Sequence, residues 1–307
     1  MALTLVEAAK LEKGDAIRSA IIELYAGSSD VLRVLPFDNI AGNALRYNRE
    51  ANLPGVGFRG VNEAFSSSTG VLNPMVEPLV IAGGDLDVDR FIIKTMGANI
   101  RSRHEAMKVR ALALAWTRKF IKGDSTTDPR EFDGLQARVT GNQLIPAGAT
   151  ANGTPLSLSK LDEAIDQTLN PTHILLNKAL KRRITGAARA GLGGDVQVTM
   201  DEFGRRVESY NGLPLLTVDL DNDGVSILPF NEAATSGTAT ATSLYVMSIT
   251  EDGLTGIQNG GIDVRDLGEL QTAPVFRTRV EWYPGIAIYN GRAVTRLWSI
   301  ADAPVTA

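Results

Sequence analysis

The apolar side chains that recur at spacings of three and four between residues 86 and 121 constrain the fold more than any other feature of this sequence. They predict one long helix capped by Asp85 or Asp87, although an interior glycine, Gly97, disfavours an unbroken helix by about 1 kcal/mol. Such a helix would be about 54 Å long, close to the width of a compact globule of this size. We therefore expect a flat, elongated molecule. The predicted stripe consists of Ile92, Met96, Ile100, His104, Met107, Ala111 and Leu114.

Composition removes several functional classes. The 307 residues include two His and no Cys, which excludes disulfide frameworks, thiolate metal sites and cysteine nucleophiles and argues against a multi-histidine metal centre. The formal net charge of −4 is unlike that of a dedicated nucleic-acid reader. No apolar run approaches the ~20 residues of a membrane span. Because the N-terminus also lacks a basic segment followed by an apolar core, we expect a soluble intracellular protein.

Residues 40–84 differ in composition from the rest of the chain. They contain three Arg, three Glu, seven Gly and three Pro but no Lys. The alternating runs 44–49 and 56–61 and the extended run 76–81 predict strands separated by turns. This β-rich stretch has too little apolar mass for a core of its own.

Residues 1–39, which precede it, are interpreted as an arm. Their pattern predicts short helices at 6–11 and 15–24 and an extended segment at 32–37. So short an arm cannot bury much by itself, and we expect it to pack on something else.

Residues 125–247 predict a separate α/β unit, and residues 248–307 return to a strand pattern. Ser159 and Asn177 are predicted to cap two helices, and the Asn290–Gly291 dipeptide predicts a hairpin turn. The predicted strands cover residues 172–176, 196–199, 213–218, 244–249, 276–282 and 293–300.

No catalytic constellation emerges from the sequence. His104 and the next residue begin like a zinc-protease motif, but Lys108 stands where the second His belongs, so a packed histidine is the favoured interpretation. His173, at the start of a strand, is interpreted in the same way. The Gly191–Gly194 segment favours helix termination over dinucleotide binding. We therefore predict that the chain is not an enzyme and binds no cofactor.

Two charged segments leave alternatives open. Asp219, Asp221 and Asp223 match the first half of a calcium loop, but Phe230 occupies the place of the bidentate Glu. A solvated acidic turn is favoured, with these three residues kept as weak metal candidates. The basic residues of 178–189 are either a solvated helix face, which is favoured, or a phosphate-binding surface.

The order of these parts resembles that of the major capsid proteins of tailed phages, which have the Hong Kong 97-type capsid fold. Short phrases look similar too, and the resemblance spans essentially the whole chain. The phrases are Leu35-Pro36-Phe37, Gly42-Asn43-Ala44, Leu53-Pro54-Gly55-Val56, Phe58-Arg59, Glu131-Phe132-Asp133-Gly134-Leu135, Tyr210-Asn211-Gly212-Leu213-Pro214 and Glu281-Trp282-Tyr283-Pro284-Gly285-Ile286-Ala287.

The resemblance implies an α+β fold with five parts: an N-terminal arm (1–39), an extended β-loop (40–84), a peripheral-domain spine helix (85–124), an axial domain (125–247) and peripheral C-terminal strands (248–307). It implies self-assembly through hexamers and pentamers into an icosahedral virion shell, formed in the host cytoplasm, that encloses double-stranded DNA without reading its sequence. A separate scaffolding protein and a portal are the expected partners, a decoration protein remains open, and no membrane is involved.

A flat subunit has little interior, so the extended β-loop would gain burial by lying across a neighbour. We expect its charged residues to pair at the rim of that contact and its aromatic residues to anchor it. The rim candidates are Arg46, Arg49, Glu50, Arg59 and Glu63, and the anchor candidates are Tyr47, Phe58 and Phe65.

The chain departs from the founding member of the family, in which a Lys of the extended loop is joined covalently to an Asn of a neighbour. There is no Lys between Lys13 and Lys94 and no Asn between Gly261 and Tyr289. We therefore expect no covalent cross-linking of that kind. Two other functions stay open: an encapsulin, which is a cellular compartment of the same fold that loads protein cargo, and, less favoured, an α/β enzyme built on residues 125–247.

Overall fold

The computed structural model describes residues 29–306 except 98, 192–195, 201–205, 236 and 238. The predicted arm helices at 6–11 and 15–24 lie outside the described residues. The helices are α1 (Asp30–Val34), α2 (Arg90–Met96), α3 (Asn99–Lys122), α4 (Leu135–Arg138), α5 (Leu158–Gln167) and α6 (Lys178–Arg189), with a 3₁₀ turn at Gly141–Gln143. The strands are β1 (Phe37–Asn39), β2 (Ala44–Asn52), β3 (Val71–Pro78), β4 (Ala82–Asp89), β5 (Leu144–Pro146), β6 (His173–Asn177), β7 (Val196–Met200), β8 (Arg206–Tyr210), β9 (Leu213–Val218), β10 (Glu232–Ala233), β11 (Ala239–Met247), β12 (Leu254–Gln258), β13 (Asp263–Glu269), β14 (Val275–Trp282), β15 (Pro284–Ile288) and β16 (Val294–Ala301).

An eight-stranded mixed sheet, in the order β5-β16-β11-β6-β9-β8-β7 with β10 beside β11, carries a hydrophobic core on each face. Side chains alternate between faces along a strand, and the central strands use that alternation. On β6, Ile174 and Leu176 join one core with α5 and α6, while Leu175 joins the other core with α3. Asn177, as predicted, caps α6 by accepting a hydrogen bond at Oδ1 from the Leu180 N–H at 2.8 Å.

The core on the α3 face is built around aromatic residues from distant parts of the chain. The ring of Trp116 lies 5.7 Å from that of Phe37 and 5.8 Å from that of Trp282, and it stacks on Phe120 at 5.1 Å. Since Phe37 lies on β1 and Trp282 at the end of β14, this cluster joins β1 and β14 to α3.

The predicted unbroken helix at 86–121 is wrong in its first third. Residues 82–89 form β4, α2 follows, and Gly97, at φ +88°, separates it from α3. The acidic residues alternate with apolar ones, which is a strand pattern, and Asp85 and Asp87 hydrogen-bond to Arg279 and Arg277 of β14 instead of capping a helix.

The buried stripe of α3 also differs from the prediction. It runs through Val109, Ala113, Trp116 and Phe120, whereas Met107 is exposed. The buried residues begin at Val109 and continue toward the end of the helix, where the aromatic core lies, whereas the predicted Ala111 and Leu114 are only half-buried. The spacing of apolar residues was therefore a poor guide to the buried face along the whole helix.

Three smaller predictions need correction. Residues 56–61, rich in Gly and exposed on every side, form no strand, and residues 32–34 belong to α1 rather than to an extended segment. The Asn290–Gly291 turn joins no hairpin, because β15 pairs with β12 whereas β16 pairs with β11. Strands β15 and β16 are buried along most of their length. Packing in the hydrophobic cores therefore determines which strands they pair with, and the turn between them does not.

Candidate assembly interface

The β2 and β3 strands and the loop 53–70 between them form a long antiparallel unit, here called the extended hairpin. Every residue of that loop is exposed. Its apolar side chains include Phe58, which is 104% exposed, and Val61, which is 92% exposed. Clustered exposed apolar side chains mark interaction surfaces in soluble proteins, so the loop is the first candidate site.

Short-range contacts order the end of this loop. Glu63 Oε2 accepts a hydrogen bond from the Gly60 N–H at 2.8 Å, and Arg59 Nη1 donates to the Glu63 carbonyl oxygen at 3.1 Å. The Arg59 guanidinium also lies 5.0 Å from the centre of the Phe65 ring. The structure thus brings together three of the predicted interface residues, but within one chain.

The base of the extended hairpin is fixed to the body of the subunit through Tyr47 and Glu77. The Tyr47 hydroxyl donates to the Ile288 carbonyl oxygen at 2.9 Å and lies 3.2 Å from Glu77 Oε1, and the Tyr47 ring packs edge-on against Tyr289. Burial, and then the neighbouring Glu77 carboxylate, raise the pKa of Tyr47 to about 12. Tyr47 therefore anchors the extended hairpin within its own chain, and its contact with a neighbour stays a prediction.

Glu77 is itself held by Arg138 of α4, with Nη1 to Oε1 at 2.5 Å and Nη2 to Oε2 at 2.6 Å. This pair was not predicted, because its partners lie 61 positions apart and nothing local marks Glu77 as buried. Arg49 lines a cleft of about 280 Å³ beside the pair. The remaining candidates, Arg46 and Glu50, are exposed on the outer face of β2.

A second exposed apolar surface was not predicted. Helix α2 has no buried residue, and its Phe91 is 72% exposed, with Met96 similarly exposed. Ile81, just before β4, is exposed as well. This surface was not predicted because the helical pattern over residues 86–121 assigned Met96 to a buried stripe.

The acidic turn is organised by hydrogen bonds and ion pairs. Buried Asp221 accepts from the N–H groups of Asp223 and Val225 and pairs with Arg118 at 2.5 Å; burial opposes ionisation, but these partners together lower its pKa. Asp219 pairs with Lys178 of α6. Among the residues that the structure describes, no group of three or more His, Asp or Glu side chains is placed to hold a metal ion.

The basic helix α6 and the two histidines also have identifiable surroundings. Lys181 pairs with Glu208 at 3.7 Å, and Arg183 Nε donates to Asp302 at 2.9 Å. His173 Nδ1 lies 2.9 Å from the Thr172 hydroxyl, and burial lowers the pKa of His173 to about 4. His104 lies half-buried on α3. Over the described part of the chain, no helix has the length and low polarity needed to cross a bilayer.

No family model and no curated protein matches this sequence. Solved structures do match the fold. The chain is similar to the holo-SrpI encapsulin complex from Synechococcus elongatus, with 18% identity, a TM-score of 0.64, and coverage of 90% of this chain and 89% of that one. The chain has the Hong Kong 97-type capsid fold.

Other structures with this fold match over similar lengths. The capsid of an empty GTA particle matches at 14% identity and a TM-score of 0.59, covering 89% of this chain and 90% of that one. A chain from Mycobacterium phage Bobi matches at 14% identity and a TM-score of 0.61, covering 88% and 89%. The Hong Kong 97-type fold is thus shared over about nine tenths of each chain, and the α+β capsid fold expected from the sequence is confirmed.

Proposed function

We propose that this chain is the major capsid protein of a tailed double-stranded DNA phage and assembles through hexamers and pentamers into an icosahedral shell. The observation that carries the proposal is the extended hairpin, which is fixed at its base and presents apolar side chains to solvent at its end. Burying apolar surface contributes about 25 cal/mol per Å². In a shell every subunit is surrounded by further copies of the chain, and such a copy would bury these apolar side chains.

The parts of the chain take the following roles in this proposal. Residues 1–39 are the N-terminal arm and 40–84 the extended loop that lies on a neighbour. The spine helix within 85–124 and the strands of 248–307 form the peripheral domain, and 125–247 form the axial domain. The fixed base supports this arrangement, because a hairpin that is rigid where it leaves the body transmits a contact at its end to the whole subunit.

The net charge of −4 supports a shell that contains DNA rather than gripping it. We propose a structural rather than a catalytic role, assembly in the host cytoplasm, and partnership with a separate scaffolding protein and a portal. Similarity to capsid and encapsulin structures supports the structural role.

An encapsulin-like compartment is the second candidate, because the match to the Synechococcus elongatus encapsulin has a TM-score of 0.64, against 0.59 and 0.61 for the GTA and phage chains. The two candidates share the shell and differ in content. A phage shell encloses nuclease-protected DNA, whereas a compartment encloses protein cargo.

Sedimentation and negative-stain microscopy of the purified chain test shell formation. Closed particles support the proposal, and a monodisperse small oligomer at every concentration contradicts it. Particles isolated with an antibody from the cells in which the chain occurs naturally then separate the two candidates. Nuclease-resistant DNA in those particles supports the phage shell, and a stoichiometric second protein without DNA supports the compartment.

A further inference from the structure

The two strands of the extended hairpin have different outer edges. In an antiparallel pair, residues alternate between those that bond across the ladder and those whose N–H and C=O groups point away from it. The Leu79 N–H donates to the Asn43 carbonyl oxygen at 2.9 Å, at the body end of the ladder. Counting from that bond, the main-chain groups of Arg46, Asn48 and Glu50 point outward from β2.

The outer edge of β3 is blocked by proline. Pro74 lies opposite Asn48 and Pro78 opposite Ala44, so both prolines occupy outward positions, where their missing N–H groups leave gaps in the edge. The edge of β2 carries no proline. Within the described residues, the outward main-chain groups of β2 at 46, 48 and 50 have no hydrogen-bond partner.

We propose that the β2 edge pairs with the β2 edge of a second copy of this chain, antiparallel about a two-fold axis at Asn48. The result is a continuous four-stranded sheet in the order β3-β2-β2-β3. In this register Arg46 lies opposite Glu50 of the partner subunit, and Asn48 lies opposite its own equivalent. Each opposed pair exchanges two N–H···O bonds, so the three pairs supply about six bonds.

The charges of β2 select this register. Arg46, Asn48 and Glu50 are exposed on one face of the strand, so the two-fold places an arginine opposite a carboxylate twice, at equivalent positions. Opposite charges directly across two strands are favourable and like charges are unfavourable. A shift by two residues leaves Arg46 opposite an asparagine, and a parallel in-register pairing sets arginine against arginine.

The inference rests on the proposed function only for the identity of the partner. A closed icosahedral shell contains two-fold axes, and a two-fold contact uses the same surface on both subunits. The apolar loop 53–70 stays available for a different neighbour, because it begins beyond the paired residues. The sheet contact is therefore a second interface.

A cysteine cross-link tests the pairing, since the chain has no Cys. Directly opposed residues that bond across the ladder have Cα atoms about 5.5 Å apart, which is within the reach of a disulfide. Under mild oxidation, Asn48→Cys should run as a dimer of twice 32.8 kDa on a non-reducing gel and as a monomer after reduction. The matched control is Asn73→Cys, an exposed position on β3, whose two copies would lie three strand spacings or about 14 Å apart; it should stay monomeric.

Charge exchange tests the register in the Asn48→Cys background. Arg46→Glu alone sets carboxylates against each other at both ends and should abolish the dimer band, and Glu50→Arg alone should do the same with arginines. The double exchange restores opposite charges and should restore the band. Closed particles without an Asn48→Cys dimer would overturn this pairing while leaving the proposed function intact. A specific dimer band without particles would support the pairing and count against the shell.

Discussion

Arg138 holds the Glu77 carboxylate with two parallel hydrogen bonds of 2.5 and 2.6 Å, and so joins helix α4 to the strand that leaves the body. Both side chains are largely buried, with 14% of the arginine and 5% of the glutamate side chain exposed. Tyr47 on β2 reaches the same carboxylate. These three residues determine where the extended hairpin leaves the subunit.

Removing one member of this pair should destabilise the subunit. Arg138→Ala leaves the Glu77 carboxylate buried without its cation, and such a loss costs about 3–5 kcal/mol. Denaturant unfolding of dissociated subunits measures the loss. The control is Arg90→Ala, which breaks the exposed ion pair with Glu269 at 3.2 Å and should cost less than about 1 kcal/mol. Equal losses in the two variants would show that the buried pair has no special role.

Assembly and folding should respond separately to changes in the loop. Phe58→Ser removes a fully exposed ring, so the free energy of unfolding should stay within about 0.5 kcal/mol of the parent value, while light scattering should show free subunits in place of particles. Phe120→Ala removes a fully buried ring and should instead lower stability by about 3–5 kcal/mol. Normal particle yield from Phe58→Ser would remove this residue from the interface.

Stability should fall in mild acid because of His173. Its pKa is about 4 in the folded chain against an ordinary 6.5, so the unfolded chain binds the proton more readily. The stability that comes from burying neutral His173 is fully present above about pH 6.5, where the unfolded chain is also unprotonated at this residue. It is lost as the pH falls toward 4, and the free energy of unfolding then changes by at most about 1.4 kcal/mol per pH unit.

The NMR titration of a His104→Gln variant isolates this group, because the chain has two His. The remaining imidazole should titrate near pH 4 in the folded subunit. His173→Gln should flatten the acid limb of the stability curve. Titration of the folded variant near an ordinary pH of about 6.5 would contradict the burial of His173.

Two glycines should respond to alanine in opposite directions. A Cβ at Gly97 or at Gly186 would meet no atom within 4 Å, so the backbone conformation alone determines how alanine changes the stability. Gly97 has φ +88° and ψ 165°, a conformation that essentially only glycine adopts, and Gly97→Ala should lower stability by about 1–3 kcal/mol. Gly186 lies inside α6, and Gly186→Ala should raise stability by about 0.5–1 kcal/mol. A stabilising Gly97→Ala would mean that α2 and α3 form one helix in solution.

Assembled particles should contain no covalent cross-links between subunits. The segment from Gly14 to Ile93 offers no Lys, and residues 262–288 offer no Asn. Particles boiled in denaturant and reductant should therefore migrate as a single band at 32.8 kDa. A ladder of higher bands that survives this treatment would reveal bond-forming chemistry that the sequence does not suggest.

Local sequence determined the features that depend on neighbouring residues. Asn177 caps α6 as predicted, β6 and β9 lie within a residue of their predicted bounds, and the inward side of β14 carries Thr278, Val280 and Trp282. Caps and alternation arise from atoms within a few positions of one another. A single sequence therefore displays them directly.

The tertiary structure decided which elements meet. Asp85 and Asp87 were predicted to begin a helix and instead form the ladder beside Arg277 and Arg279. The Tyr47 hydroxyl donates a hydrogen bond to the Ile288 carbonyl oxygen, 241 positions away, a contact that no local pattern predicts. Strand pairing and buried ion pairs depend on the free energy of contacts between distant segments. The spacing of apolar residues within one segment therefore does not predict those contacts.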